Sequence, residues 1–565
     1  MSRPLCLLSL LALASACVAP WPPLELCPES GCSSGEPGTS SSGSSDSPVP
    51  TGDVQTVTGA SATTDDDPGP TPTTLTTGEP DDAPPVIELF EFEPSMLSEA
   101  GPSIATLKVR GNVTNVQISR EGQIVASGPP DSLEYTFEVT SAKFNKEPHT
   151  FTARAFDGKG GVAEATAEVE VKLPASGAVR CTFQDTLVAT QSGINNLVFD
   201  DGDVVAIGFR DSGGGPRTTL WRFDPKSCAP RPGWPRTVQE WSASQVVKNA
   251  ASAGVAVALD ENGYLAIAGN LIEGGKTRPY VALLTPEGSL IWETTGELGD
   301  QAAGVAKVRW PHERIVMVGS RLTNANPPRY DGLVIGFHEQ TSPWVDVLKA
   351  PFTANEAHKD IPNDRSEKVL AVLADPDTAE VFVVGEREFR PAENAPDTFQ
   401  RTFVIRLYPD GGRISTWTSS GDFLPHDSAR SLKRCGSALL AGGWTRDKPV
   451  GSKPQPLVRW IDAAGTSAGR RSEPLADTQT FGIDCDREGK VVSAGARTLG
   501  NQTDVALYAF LDLDEPLVWQ AQHDGLDMAD DGAAGLACDR WGFCAWGGFE
   551  TVNGTVRAIL RVHAP

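Results

Sequence analysis

Five arginines are spaced with a regularity that suggests shared chemistry. Arg210, Arg321, Arg387 and Arg497 each stand two residues beyond a recurring glycine, and Arg446 stands three beyond its own. A guanidinium grips a carboxylate or sulfate through two parallel hydrogen bonds. A rim of such residues, with Arg278, Tyr330, Arg401 and Trp444 in the same stretches, therefore suits an acidic ligand. Competing partners lie within the chain: Asp300, Asp364, Asp427, Asp477 and Asp531 recur just ahead of the strands that follow, and each offers an internal counter-ion. Both readings put the arginines on one face, and they differ in whether the guanidinium groups are open or paired.

Other residue types give no catalytic set. The histidines His149, His312, His338, His358, His426, His523 and His563 are scattered without H-E-x-x-H or H-x-H spacing, so no metal centre is expected. Gly269 to Thr277 reads G-N-L-I-E-G-G-K-T, one residue too long for a phosphate loop and set between two strands rather than before a helix. Gly31 to Gly35 matches a nucleophile-elbow pattern, but in a Ser-rich stretch with no strand before it or helix after it. The acidic run Asp524 to Asp531 lacks the alternating ligands of a calcium loop and reads as a solvated connection. No cofactor is expected.

The elements that must position the arginines repeat. One copy runs G-V-A-V-A-L-D-E-N-G-Y-L-A-I-A-G from Gly254 to Gly269, and after a loop Y-V-A-L-L-T-P-E-G-S-L-I-W from Tyr280 to Trp292: strand, tight turn, strand, loop, strand, tight turn, strand. The glycine closing the second strand returns as Gly208, Gly269, Gly319, Gly385, Gly443, Gly495 and Gly548. Apolar residues occupy both alternating sets, as in Val255, Val257 and Leu259 against Ala256 and Ala258, so each sheet is covered on both faces. Seven four-stranded sheets buried on both faces are the blades of a propeller, expected over residues 178–565. The pattern resembles the seven-bladed propellers of secreted bacterial proteins, including those with quinoprotein-like repeats, and the doublets Gly442-Gly443 and Gly547-Gly548 are similar to kelch repeats. The seventh copy stops after its third strand at Val562. Its fourth is expected from Val179, Cys181 and Phe183, which alternate with Arg180 and Thr182 ahead of the first blade.

Upstream, composition changes twice. Residues 1–16 read as an export signal: Arg3, an apolar stretch from Leu5 to Leu13, then Ala14, Ser15 and Ala16 before Cys17. This resembles the bacterial lipobox, with Ala14 where the family usually has Leu. The resemblance implies cleavage and lipidation at Cys17, with anchoring to the bacterial cell envelope at the outer membrane. Residues 17–84 form an acidic Ser/Thr/Pro-rich tether without Lys or Arg, too poor in apolar side chains to fold. Residues 85–174 carry short alternating strands in sandwich rhythm, and Ala153 to Val171 is similar to the last hairpin of bacterial immunoglobulin-like domains. Cysteines in an exported chain point to disulfides. Cys27 with Cys32 and Cys538 with Cys544 close small loops, leaving Cys181, Cys228, Cys435 and Cys485; elimination suggests 181–228 and 435–485, with connectivity among the four still open.

The formal charge of −25, from 73 acidic and 48 basic residues, repels polyanions, so no nucleic-acid partner is expected. The expected function is a non-enzymatic, membrane-anchored binding module for a protein or acidic glycan on the long-loop face. A propeller enzyme acting on a sugar or alcohol, or an envelope-assembly scaffold, are the alternatives.

Overall fold

The computed structural model describes residues 83–565 outside a set of connecting segments, of which the longest are 141–148, 347–365, 390–398 and 419–425. The structure is all-β, with a β-sandwich followed by a seven-bladed β-propeller. In the sandwich, a three-stranded sheet (Val86–Glu93, Pro102–Arg110, Glu134–Thr140) faces a five-stranded one (Met96–Leu97, Val162–Val171, His149–Phe156, Asn115–Arg120, Gln123–Gly128). Inward residues from both sheets, among them Leu107, Val109, Ile118 and Phe151, share one core. The His149–Phe156 strand alternates between buried and partly or fully exposed side chains along its length, as a strand with one face on a core must.

The remaining strands form seven separate four-stranded antiparallel sheets, six of them in chain order and the last with its fourth strand taken from ahead of blade one. In each blade the first strand carries a β-bulge, from Ile194/Asn196 in blade one to Ala533/Gly535 in blade seven. The residue just before the bulge always pairs with the recurring glycine, as Ala302 does with Gly319 and Thr480 with Gly495. The bulge turns a carbonyl onto the space a side chain would occupy. A Cβ on Gly319, Gly443, Gly495 or Gly548 would sit 1.8 Å from the carbonyl oxygen of Gln301, Ser428, Gln479 or Gly532 respectively. Glycine recurs because only a residue without a Cβ tolerates that approach.

At the opposite end of the blades, tight turns between first and second strands use an aspartate as internal acceptor. Asp260 takes the N–H groups of Asn262 and Tyr264, and Asp539 those of Trp541 and Phe543. Gly263 and Gly542 follow at φ +76° and +88°, where a side chain would be strained. Apolar clusters fill the space between blades; Trp292 of blade two meets Phe337 of blade three at 5.7 Å, and Trp519 of blade six is buried against blade seven with Trp546.

The ring closes with a strand from the other end of the chain. Val179–Gln184 lies antiparallel to Thr555–His563, pairing Cys181 with Val562 and Phe183 with Leu560, and becomes the fourth strand of blade seven. Disulfides reinforce this ring. Cys181–Cys228 ties the closing strand to blade one, Cys435–Cys485 joins the first strands of blades five and six, and Cys538–Cys544 staples the first hairpin of blade seven. Cys17, Cys27 and Cys32 lie outside the described residues.

Candidate functional site

The seven first strands surround a central cavity of about 880 Å³, lined by repeated small and branched side chains such as Val198, Val257, Val305, Val372 and Ile483. The start of each first strand, the end of each second strand and the connections between blades meet at one end of this channel. The arginines occupy that end because the position two beyond the recurring glycine is where the second strand leaves its bulged partner.

Three of the five are ion-paired. Arg321 lies opposite Asp300 in the ladder and grips it at 2.8 and 2.7 Å, with Glu297 at 2.9 Å. That pairing raises the pKa of its guanidinium above the ordinary value. Arg387 lies opposite Glu367 and forms an ion pair with it at 2.5 Å. Arg210 reaches Asp185, just beyond the closing strand, at 2.9 Å. These three guanidinium groups hold the long-loop end of the ring together, which removes them from the open rim.

Arg446 and Arg497 differ. Arg446 stacks over the ring of Trp444 at 4.8 Å, its Nε is buried without a hydrogen-bond partner, and it makes no salt bridge among the described residues. Burial lowers its pKa, offset in part by the field of Asp477. The aspartate at the corresponding place in its own blade, Asp427, is taken by Arg459. Asp477 carries Lys453 instead. Arg497, in the adjacent blade, is half-buried, and its Nε also has no hydrogen-bond partner. Asp364 is outside the described residues.

Of the other sequence patterns, Gly31 to Gly35 lies outside the described residues, and the run Asp524 to Asp531, expected as a solvated connection, ends in the fully buried Asp531. Glu273 and Lys276 pair across the tight turn Gly274-Gly275, so the G-N-L-I-E-G-G-K-T stretch is a hairpin. His426 accepts the Gln400 N–H through Nδ1, and His563 sits between Trp546 Nε1 and the Gly177 carbonyl. His312 and His358 lie outside the described residues.

One cluster was not legible from local spacing. His523 at the end of the last strand of blade six, Asp531 in the crossover and Glu550 in blade seven are all buried, with one ligand atom from each within 4.8 Å of the others. Burial pushes the Asp531 carboxyl up to about 6 against the bonds it accepts from Thr551 and Gly525, and pushes the His523 imidazole down to about 4. The available signal was the repeat itself. Glu550 stands two residues beyond Gly548, the place that is arginine in blades one, three, four and six.

No protein-family model matches the chain, and no curated protein matches it. Among solved structures, the chain is similar to a protein of unknown function from Dyadobacter fermentans, at 10% identity and a TM-score of 0.38, covering 69% of this chain and 97% of that one. It is similar to the WD40 domain of Neurospora crassa Pan2 at 8% identity and a TM-score of 0.40, covering 69% of this chain and 95% of that one. The β-propeller domain of the trilobed protease from Pyrococcus furiosus gives 9% identity and a TM-score of 0.38, with 67% and 95% covered.

Proposed function

We propose that the protein is a binding module of the bacterial cell envelope. It is held to the outer membrane through lipidated Cys17, raised on the acidic tether 17–84 and an immunoglobulin-like spacer 85–174, and reads an acidic group of a protein or glycan with its propeller. The observation that supports this reading is Arg446. A guanidinium half-buried on an aromatic ring, with no salt bridge among the described residues, has lost hydration without a paired counter-ion there. An incoming carboxylate or sulfate would supply one, and the buried Trp444 ring backs the guanidinium and holds it in place for that contact. Arg497 in the neighbouring blade adds a second donor.

A sugar-acting enzyme would use paired carboxylates on this face. The described pair, Asp531 and Glu550, is 0% and 4% exposed, which favours binding over hydrolysis at this face because a sugar ring has no access.

Two measurements test the proposal. Binding of the full chain to an array of carboxylated and sulfated glycans should be lost in Arg446→Ala, reduced in Arg497→Ala and retained in a variant of an exposed residue at the opposite end of the blades, Lys226→Ala, which follows the third strand of blade one. Absence of any acidic ligand, or binding unaffected by Arg446→Ala, removes the reading. Mass spectrometry of the mature N-terminal peptide should find lipid on Cys17, and an unmodified peptide starting elsewhere ends the anchor.

A further inference from the structure

In blade three the residue two beyond the glycine is Arg321, and the residue it faces is Asp300; in blade four the pair is Arg387 and Glu367. Blade seven keeps the acid and replaces the arginine. Gly532 pairs with Phe549, so the next positions out are Asp531 and Glu550, two carboxylates where the repeat sets one carboxylate and one guanidinium. Both are buried, and a third, Asp504, adds its field to Asp531 while its own Oδ1 is buried without a hydrogen-bond partner. Arg561, felt electrostatically by Asp531 and Glu550, makes no salt bridge to either among the described residues. Stacked carboxylates in a dry site call for a compensating positive charge, a proton or a cation.

The neighbouring imidazole shows which kind. His523 is 8% exposed, and its Nε2 has no hydrogen-bond partner. It stands 3.7 Å from Glu550 Oε1, too long for a hydrogen bond and close to the ~3.3–3.6 Å edge between two ligands at ~2.0–2.2 Å from one ion. Surrounding contacts hold the donors in place. The His523 ring packs at 5.8 Å on Trp546, Asp531 is fixed by the N–H groups of Gly525 and Thr551, and Glu550 Oε2 accepts Gln184 Nε2 at 2.8 Å. One imidazole with carboxylates selects a first-row divalent ion, whereas calcium prefers oxygen alone.

We propose that His523, Asp531 and Glu550 bind a divalent cation of the Zn²⁺ or Mn²⁺ type, which in blade seven takes the place of the guanidinium of blades three and four. Its ligands come from blade six, the crossover and blade seven, and Gln184 belongs to the closing strand. The ion therefore clasps the ring at its seam.

The test uses full-length protein dialysed against chelator, then titrated with Zn²⁺, Mn²⁺ or Ca²⁺, reading metal content and melting temperature. The wild type should take up one more equivalent of Zn²⁺ or Mn²⁺ than Glu550→Arg, with a melting rise of a few degrees at saturating metal. Glu550→Arg recreates the arginine–aspartate pair of blade three, so it should show no metal-dependent rise and melt in chelator no lower than the wild type. His523→Gln keeps both carboxylates and should bind at least tenfold more weakly, which preserves the test if the arginine variant fails to fold. Equal uptake and equal rise in wild type and His523→Gln, no uptake by the wild type, or a response to Ca²⁺ alone overturns the proposal.

Discussion

Replacing Arg321 by alanine separates a structural arginine from a ligand-binding one. The guanidinium gives Asp300 two hydrogen bonds at 2.8 and 2.7 Å, and the Asp300 side chain is only 3% exposed. Removing one partner of a buried pair strands the other, at roughly 3–5 kcal/mol. Arg321 is itself 24% exposed, so water enters the vacated space and the loss lies toward the lower end. Protonation sets a ceiling: neutralising an ordinary aspartate at pH 7 costs about 4 kcal/mol, and at pH 5 only about 1.5 kcal/mol. Arg321→Ala should therefore lose about 2–4 kcal/mol at pH 7, a fall in melting temperature of about 4–8 °C at ~2 °C per kcal/mol. The sign with pH follows from the stranded acid. It binds a proton more readily folded than unfolded, so the variant is at its best below the unfolded pKa and loses stability as pH rises. The deficit should shrink between pH 7 and pH 5. Arg446→Ala strands no carboxylate and should stay within about 1 kcal/mol of wild type at both pH values. Melting curves of the three proteins at the two pH values decide the matter. An Arg321→Ala loss under 1 kcal/mol at pH 7, or one that is the same at pH 5, refutes the buried-pair argument.

Two further outcomes follow from the ring. A truncated chain starting at Gln191 lacks Val179–Gln184, so it exposes the Thr555–His563 edge and loses the Cys181 crosslink; light scattering should show aggregation and calorimetry a lower melting temperature than for a chain starting at Ser176, and matching behaviour of the two would contradict closure by that strand. Gly319→Ala drives a Cβ to within 1.8 Å of the Gln301 carbonyl and should cost more than about 2 kcal/mol, whereas Gly336→Ala in the same blade meets nothing within 4 Å and should melt within a degree of wild type.

The propeller was legible in the sequence because its cause is local and repeated. Each blade needs two apolar faces, a tight turn and a glycine opposite a bulge, and all three recur in order from Gly208 to Gly548. The closing strand could also be read, since a seventh copy ending at Val562 leaves an edge that Val179 to Phe183 has the alternation to cover. The arginine positions were equally visible, being fixed by their distance from the glycine.

Whether those arginines are occupied was decided only in three dimensions. Arg210 meets Asp185 across the seam of the ring, and Asp427 turns to Arg459 rather than to Arg446, choices set by how neighbouring strands stack. Sequence spacing ranks local neighbours, but an ion pair depends on which side chains share a desolvated space. The same reason hid the cluster of His523, Asp531 and Glu550, whose members come from two blades and their crossover. Local order told the chain to build seven sheets, and the closing of those sheets into a ring determined which charges meet.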